Sequence, residues 1–100
     1  MLGALSSALS GIASAHTRVA VASHNVANLL TEDFRPLRSH QSSRATGGSV
    51  ADVVQADQPE PVSVAREFVD AELASVQARS SARLIKVELD LVGGLLDILS

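Results

Sequence analysis

One hundred residues allow a single small domain, and the 46% apolar content rests on Ala, Val and Leu, with two Phe and no Trp or Tyr. Such side chains fill helix–helix seams well and build bulky globular cores poorly. A net charge of −3 leaves no basic footprint for nucleic acid, and the absence of Cys excludes disulfide frameworks and Cys-based metal sites.

The charge is unevenly spread. Residues 1–50 carry Arg18, Arg35, Arg38 and Arg44 against Glu32 and Asp33, a net of +2, while residues 51–100 carry four basic and nine acidic residues, a net of −5. This asymmetry favours the front half meeting the back half of the same or another chain.

Residues 2–30 read as one long helix without Pro, with Gly3 and Gly11 as its weak points. An apolar stripe runs along it through Met1, Leu5, Ala8, Ile12, Ala15, Val19, Ala22, Val26 and Leu29, in steps of four and three. That alternation keeps one face turned toward a partner helix. Large residues (Leu5, Ile12, Val19, Val26) alternate with Ala8, Ala15 and Ala22, which permits close approach of a neighbour. The first basic residue is Arg18, and Ser6, Ser7 and Ser10 interrupt the apolar run, so neither a cleaved secretion signal nor a membrane span is expected. The helix is expected to end between Asn28 and Thr31, because Pro36 blocks continuation soon after.

Near that end stands Ser23-His24-Asn25-Val26-Ala27-Asn28. Two asparagines three residues apart serve one of two purposes. Either they satisfy the free carbonyls of a helix terminus, or they form a polar element that fixes register within a seam. His16 and His24 share a helix face, but no carboxylate or Cys nearby completes a metal site. No strand–turn–helix context hosts a nucleophile, and Glu88 and Asp90 point to different helix faces. No enzyme activity, cofactor or metal is expected.

Residues 31–62 read as an extended connector. Phe34-Arg35-Pro36 should be extended, because the residue before proline avoids the helical region. Ser39 to Gly48 reads as an exposed loop, Ser49 to Gln55 as a short strand carrying three valines, and Gln58-Pro59-Glu60-Pro61 as a stiff spacer. Residues 63–100 hold the second long helix, with Ser63 as N-cap and Glu67, Asp70 and Glu72 in its first turns. Its stripe runs Val64, Phe68, Ala71, Ser75, Ala78, Ala82, Ile85, Leu89, Val92, Leu96 and Leu99. Leu84, Val87, Leu91, Leu95 and Ile98 add a second stripe, so more than one neighbour is expected. Gly93-Gly94 weakens the helix locally, by about 1 kcal/mol each relative to Ala.

The predicted fold is all-α dominated. Two long terminal helices, within 1–30 and 63–100, pack as an α-helical coiled-coil hairpin, joined by an extended connector with at most one short β-strand or hairpin. Leu5, Ile12, Val19 and Val26 are expected to seal against Phe68, Ile85, Leu89 and Leu96, with Asn25 and Asn28 completing the assembly interface. Leftover apolar faces would meet neighbouring subunits.

The run Ser10-Gly11-Ile12-Ala13, then Arg18-Val19-Ala20-Val21-Ala22-Ser23-His24-Asn25-Val26-Ala27-Asn28, then Thr31-Glu32-Asp33-Phe34-Arg35, resembles the N-terminal signature of bacterial flagellar axial proteins of the rod and hook. That pattern is approximately S-G-L-x-A, R-L-x-V-x-A-x-N-I-A-N and T-x-G-[YF]-[KR]. At the rear, Val64-Ala65-Arg66-Glu67-Phe68-Val69-Asp70 and Leu95-Leu96-Asp97-Ile98-Leu99 are similar to the family's N-V-D-x-x-x-E-M-V element and its L-L-x-I ending. The connector from Ala45 to Val54 looks like the short strand region of a proximal rod protein, the part of the family this chain resembles most. The chain departs from the pattern at Asp33, where glycine is expected, and at Ala78 and Ser81, where tyrosine and asparagine stand. Its connector is also shorter, as in a reduced, divergent member.

The resemblance implies a non-enzymatic structural subunit of the basal-body rod. Such proteins polymerise through both terminal helices into a tube that crosses the periplasm and transmits torque. Export runs unfolded through the flagellar type III apparatus, without a cleaved signal peptide. Implied partners are other rod and hook-basal-body subunits, the export apparatus and further copies of the chain, with no nucleic acid and no direct membrane insertion. Apart from the resemblance, the pattern also fits a small helical-hairpin oligomer or adaptor with no flagellar role. A membrane-surface amphipathic protein fits less well, because the first helix nearly lacks Lys and Arg.

Overall fold

The computed structural model describes residues 2–99; Met1, the first member of the front stripe, and Ser100 lie outside them. Four elements follow one another: α1 (Leu2–Ala27), β1 (Leu37–Ser43), β2 (Ser49–Gln55) and α2 (Val64–Leu99). The architecture is helix-dominated. Two helices fold back into a hairpin, and a two-stranded antiparallel sheet sits beside them. Asn25 faces Glu67 and Gly11 faces Ser81, and in both pairs the numbers add to 92. The helices therefore run antiparallel, and α2 continues for about nine residues, about 13 Å, past the start of α1. The molecule is elongated, 63 × 25 × 14 Å.

The helix ends follow from local chemistry. Ser63 caps α2: its Oγ accepts the Arg66 N–H at 3.2 Å, and its carbonyl accepts the Glu67 N–H at 3.0 Å. At the end of α1 the Asn28 N–H is shared between the carbonyls of His24 and Asn25, both at 3.2 Å. Asn28 Nδ2 donates to the His24 carbonyl at 2.9 Å, and Thr31 Oγ1 donates to Asn28 Oδ1 at 3.0 Å. These bonds satisfy carbonyls that the helix leaves free.

The chain then turns through Asp33, whose φ is +55°. This is the position where the flagellar pattern carries glycine. The left-handed region is costly for most L-residues, and aspartate is among the few that enter it with a local hydrogen-bonding side chain. Phe34 leans on the His24 ring, with centroids 5.6 Å apart. Pro36 is fully buried, and its carbonyl accepts the Ala56 N–H at 2.8 Å, so the exit of β2 returns beside the entry of β1.

The loop expected over Ser39 to Gly48 is confined to 44–48, and its first half, Ser39 to Ser43, is strand. β1 pairs with β2 from Leu37 opposite Gln55 to Ser43 opposite Ser49. The segment Leu37–Ser43 (LRSHQSS) has no β-branched residue and therefore carries no strand signal of its own. Its partner β2 supplies the valines, and the turn supplies the geometry. Gly47 and Gly48 both have positive φ, and the Arg44 N–H donates to the Gly48 carbonyl at 3.0 Å. The hairpin tip then rests on α1: the Ser49 N–H donates to Ser10 Oγ at 3.0 Å, and the Ser14 and Ser49 hydroxyls lie 3.1 Å apart. Six strand steps from Leu37 to Ser43 span about 20 Å and fifteen helical rises from Ser10 to Asn25 about 22 Å, so strand and helix nearly match in length.

The seam between the helices differs in phase from the expected one. Its buried members are Ala8, Gly11, Ser14, Ala15, Val21, Ala22 and Asn25 on α1, and Glu67, Ala74 and Ser81 on α2. Seven-residue spacing holds, but Gly11 and Asn25 occupy the seam where Ile12 and Val26 were expected. On α2, Glu67, Ala74 and Ser81 replace Phe68, Ser75 and Ala82. The expected seal is thereby corrected: Phe68 is 64% exposed, Leu89 57% and Leu96 61%, while Leu5, Ile12, Val19 and Ile85 are only half-buried. Two forces explain the shift. Ala, Gly and Ser let the backbones approach until bulky side chains no longer fit between them; a Cβ on Gly11 would stand 2.5 Å from Ser81 Oγ. Polar groups brought so close must also face each other, since burying them unpaired costs kilocalories.

If the turn at Asp33 requires the left-handed conformation, Asp33→Val should lower stability by about 1–2 kcal/mol, and Asp33→Gly should not. Urea titration followed by circular dichroism measures both; equal loss in the two variants would contradict this account of the turn.

Candidate assembly surface

Three polar layers join the elements, and each begins from a residue of α1 seven positions from the next: Asn25, Arg18 and Gly11. In the first, the Asn25 side chain is 0% exposed. Its Oδ1 accepts the Leu37 N–H at 2.9 Å, and its Nδ2 donates to the Leu37 carbonyl at 2.9 Å and to Glu67 Oε1 at 3.0 Å. One carboxamide thus ties α1 to the first residue of β1 and to the first turn of α2. Glu67 is itself buried, and Arg38 Nη1 stands 3.8 Å from its Oε1. Arg38 Nη2 also reaches Glu60 Oε2 at 3.2 Å; that pair is largely exposed and is worth about 0–1 kcal/mol.

In the second layer Arg18 Nη1 donates to Gln77 Oε1 at 2.9 Å and to Gln41 Oε1 at 3.3 Å, again joining both helices and the sheet. Gln77 Nε2 donates to the Gly11 carbonyl at 2.9 Å. The third layer is the close approach of Gly11 to Ser81, beside the serine contacts of the hairpin tip.

The two asparagines divide between the two roles open to them. Asn25 is the register-fixing element, inside the hairpin, and Asn28 is the helix-end cap. Glu67, Arg18 and Gln77 complete the polar layers, although sequence reasoning assigned them no part in the seam. The signal that could have found them is the seven-residue recurrence of Gly11, Arg18 and Asn25, a polar and glycine row lying against the alanine row.

The sheet covers one flank of the seam. On the opposite flank lies an open apolar groove. Near the turn end Val26, Val64 and Phe68 border it over Ala22 and Ala71. A second apolar hollow follows on the same flank toward the middle of the molecule, with Ile12 and Val19 across from Ser75 and Ala78, over Ala15. Four of the residues expected at an interface (Ile12, Val19, Val26 and Phe68) therefore line these two hollows, which together make the groove of this flank. Leu89 and Leu96 lie apart from it, toward the C-terminal end of α2, and Leu5 and Ile85 flank the seam half-buried.

Among the described residues no cluster of His, Asp or Glu is arranged to hold a metal ion, and no helix is long and apolar enough to cross a membrane. What the surface offers is contact area for helices. No protein-family model matches the chain, and no curated protein matches it in sequence.

Replacing Asn25 by Ala removes three hydrogen bonds and strands the Leu37 N–H in a part-buried site, so a loss of about 2–4 kcal/mol is expected. Asn28→Ala removes an exposed cap and should cost about 1 kcal/mol or less. Chemical denaturation of the two variants compares them directly; equal losses would remove Asn25 from its central place.

Proposed function

We propose that this chain is a structural subunit of the bacterial flagellar basal-body rod, non-enzymatic and polymerising through its N- and C-terminal helices. The observation that carries the reading is the fate of the signature residues. Asn25 and Asn28, the two asparagines of the rod-like motif, hold the junction of helix, turn and strand, while the large apolar side chains around them are left outside. A chain that spends small residues on its own seam and keeps Phe68, Leu89 and Leu96 exposed has contact area to give to neighbours.

In this reading α1 and α2 pack as an α-helical coiled coil within the assembled tube, which the seven-residue recurrence of buried positions supports. Contacts between unlike faces that do not close generate an open helical stack, and a tube whose every helix is wedged between others transmits torque. The partners are other rod and hook-basal-body subunits and further copies of the chain. The subunit passes unfolded through the flagellar type III export apparatus and ends in the periplasm-spanning rod.

Deleting the coding sequence should abolish motility. Val19→Asp and Leu89→Asp should each permit export but block incorporation into basal bodies. Leu89 lies outside the seam, so its substitution should change the stability of the isolated chain by no more than about 0.5 kcal/mol. Normal swimming of the deletion strain, with the purified chain forming a compact dimer that melts cooperatively at micromolar concentration, would favour the adaptor reading instead.

A further inference from the structure

The outward side of α2 carries a row with a different period from the seam. Val69, Leu73 and Val76 recur eleven residues on as Ser80, Leu84 and Val87, and eleven further as Leu91, Leu95 and Ile98. Every apolar member of this row is at least 50% exposed. An eleven-residue repeat gives about 3.67 residues per turn, close to the 3.6 of an undistorted helix, so the row stays on one side as a straight ridge. From Val69 to Ile98 it runs about 43 Å at 1.5 Å per residue. The sheet does not cover it, because the strands pack against α1.

We propose that this ridge seats in the open groove between α1 and α2 of a second copy of the chain. The shapes are complementary. Leu and Val project from the ridge, and the groove offers a floor of Ala15, Ala22 and Ala71 between the walls of Val19, Val26 and Phe68. At about 100° per residue the ridge and the groove-facing side of α2 lie roughly 150° apart, so no chain can fill its own groove. Each copy then offers a ridge to one neighbour and a groove to another, a contact of unlike faces that repeats rather than closes. Charge permits it too: α1 carries Arg18 and no carboxylate, so Glu88 and Asp90, which flank the ridge on either side, meet no like charge from that wall, and Glu67, the carboxylate that lines the groove, is buried.

The groove from Ile12 to Val26 spans about 21 Å, half the ridge. The contact therefore engages half of the ridge at a time, and a covalent trap captures it whatever its lifetime. The proposal names the occupant of the groove within the assembly reading above. It is tested on the purified chain, so its failure leaves the motility test of that reading untouched.

The chain has no Cys, which makes single-cysteine variants unambiguous. Ser75→Cys marks the groove and Ser80→Cys the ridge. Treated with a short bis-maleimide, a mixture of the two variants should give several-fold more mixed dimer than either gives alone. Adding Leu84→Glu to the ridge-marked chain should abolish that product, and adding it to the groove-marked chain should not. Ser80→Cys chains joining each other as readily as they join Ser75→Cys would overturn the proposal in favour of ridge-on-ridge pairing. Yields no higher than with a Gln58→Cys control would also overturn it. So would protection of Ser80→Cys by phosphatidylglycerol vesicles without cross-linking, which would assign the ridge to a lipid surface.

Discussion

One buried carboxamide fixes the junction of both helices and the sheet. Asn25 has two N–H donors and one acceptor oxygen in its side chain, and all are used: the oxygen by the Leu37 N–H, the amide by the Leu37 carbonyl and Glu67. The pairing with Leu37 copies what a neighbouring strand would offer, so β1 begins where Asn25 stands. The bond to Glu67 sets how far α2 slides along α1. A slip of one residue in either helix would carry these partners apart and leave buried polar groups unmatched, at about 1–3 kcal/mol each. Apolar contacts alone would not impose such a register, because one alanine step along this seam resembles the next.

That constraint decides where the bulk goes. The buried apolar side chains among the described residues are Ala8, Ala15, Val21, Ala22, Pro36 and Ala74, and four of the six are alanines. Burying methyl groups yields little, since each buried carbon contributes about 0.8 kcal/mol. Shape is therefore held mainly by polar layers and backbone ladders, and the larger hydrophobic contribution waits on the outside. In the proposed assembly, binding to the folded form would add to its stability by mass action.

The sequence was legible where a residue's local chemistry acts alone. Ser63 caps α2, Ser49 to Gln55 forms a strand, and the helix breaks at Asn28, each for the reason its side chain suggests. It was also legible in period, because Ala8, Ala15 and Ala22 are buried at seven-residue spacing. It was misread in phase. Reading the largest apolar residues as the inward ones assumes that the driving force is burial within one chain. Here Ile12 and Phe68 yield to Gly11 and Glu67, because close approach and polar matching outweigh bulk. β1 was missed for a related reason: Leu37–Ser43 becomes a strand only because Asn25 and β2 supply its partners, and neither partner is visible in LRSHQSS itself.

α2 carries two periods, one in the seam with α1 and one on its exposed side. A seven-residue row drifts by about 20° per repeat on an undistorted helix, so following it means wrapping slightly around α1. The eleven-residue row hardly drifts, and so it tracks the helix itself whatever α1 does. Past residue 90 the described part of α1 has run out, and the seven-residue row of Glu67, Ala74 and Ser81, carried on through Glu88, reaches Leu95, which is 53% exposed. At that point Gly93 and Gly94 appear, and apart from the adjacent residues and the helix's own backbone nothing lies within 4 Å of where a Cβ would be. Packing within the chain therefore does not call for glycine there, yet each costs the helix about 1 kcal/mol relative to Ala. A bare backbone facing open space is compatible with very close contact by another helix. The end of α2 is thus the part of the fold whose sequence makes least sense in a single chain and most sense in an assembly.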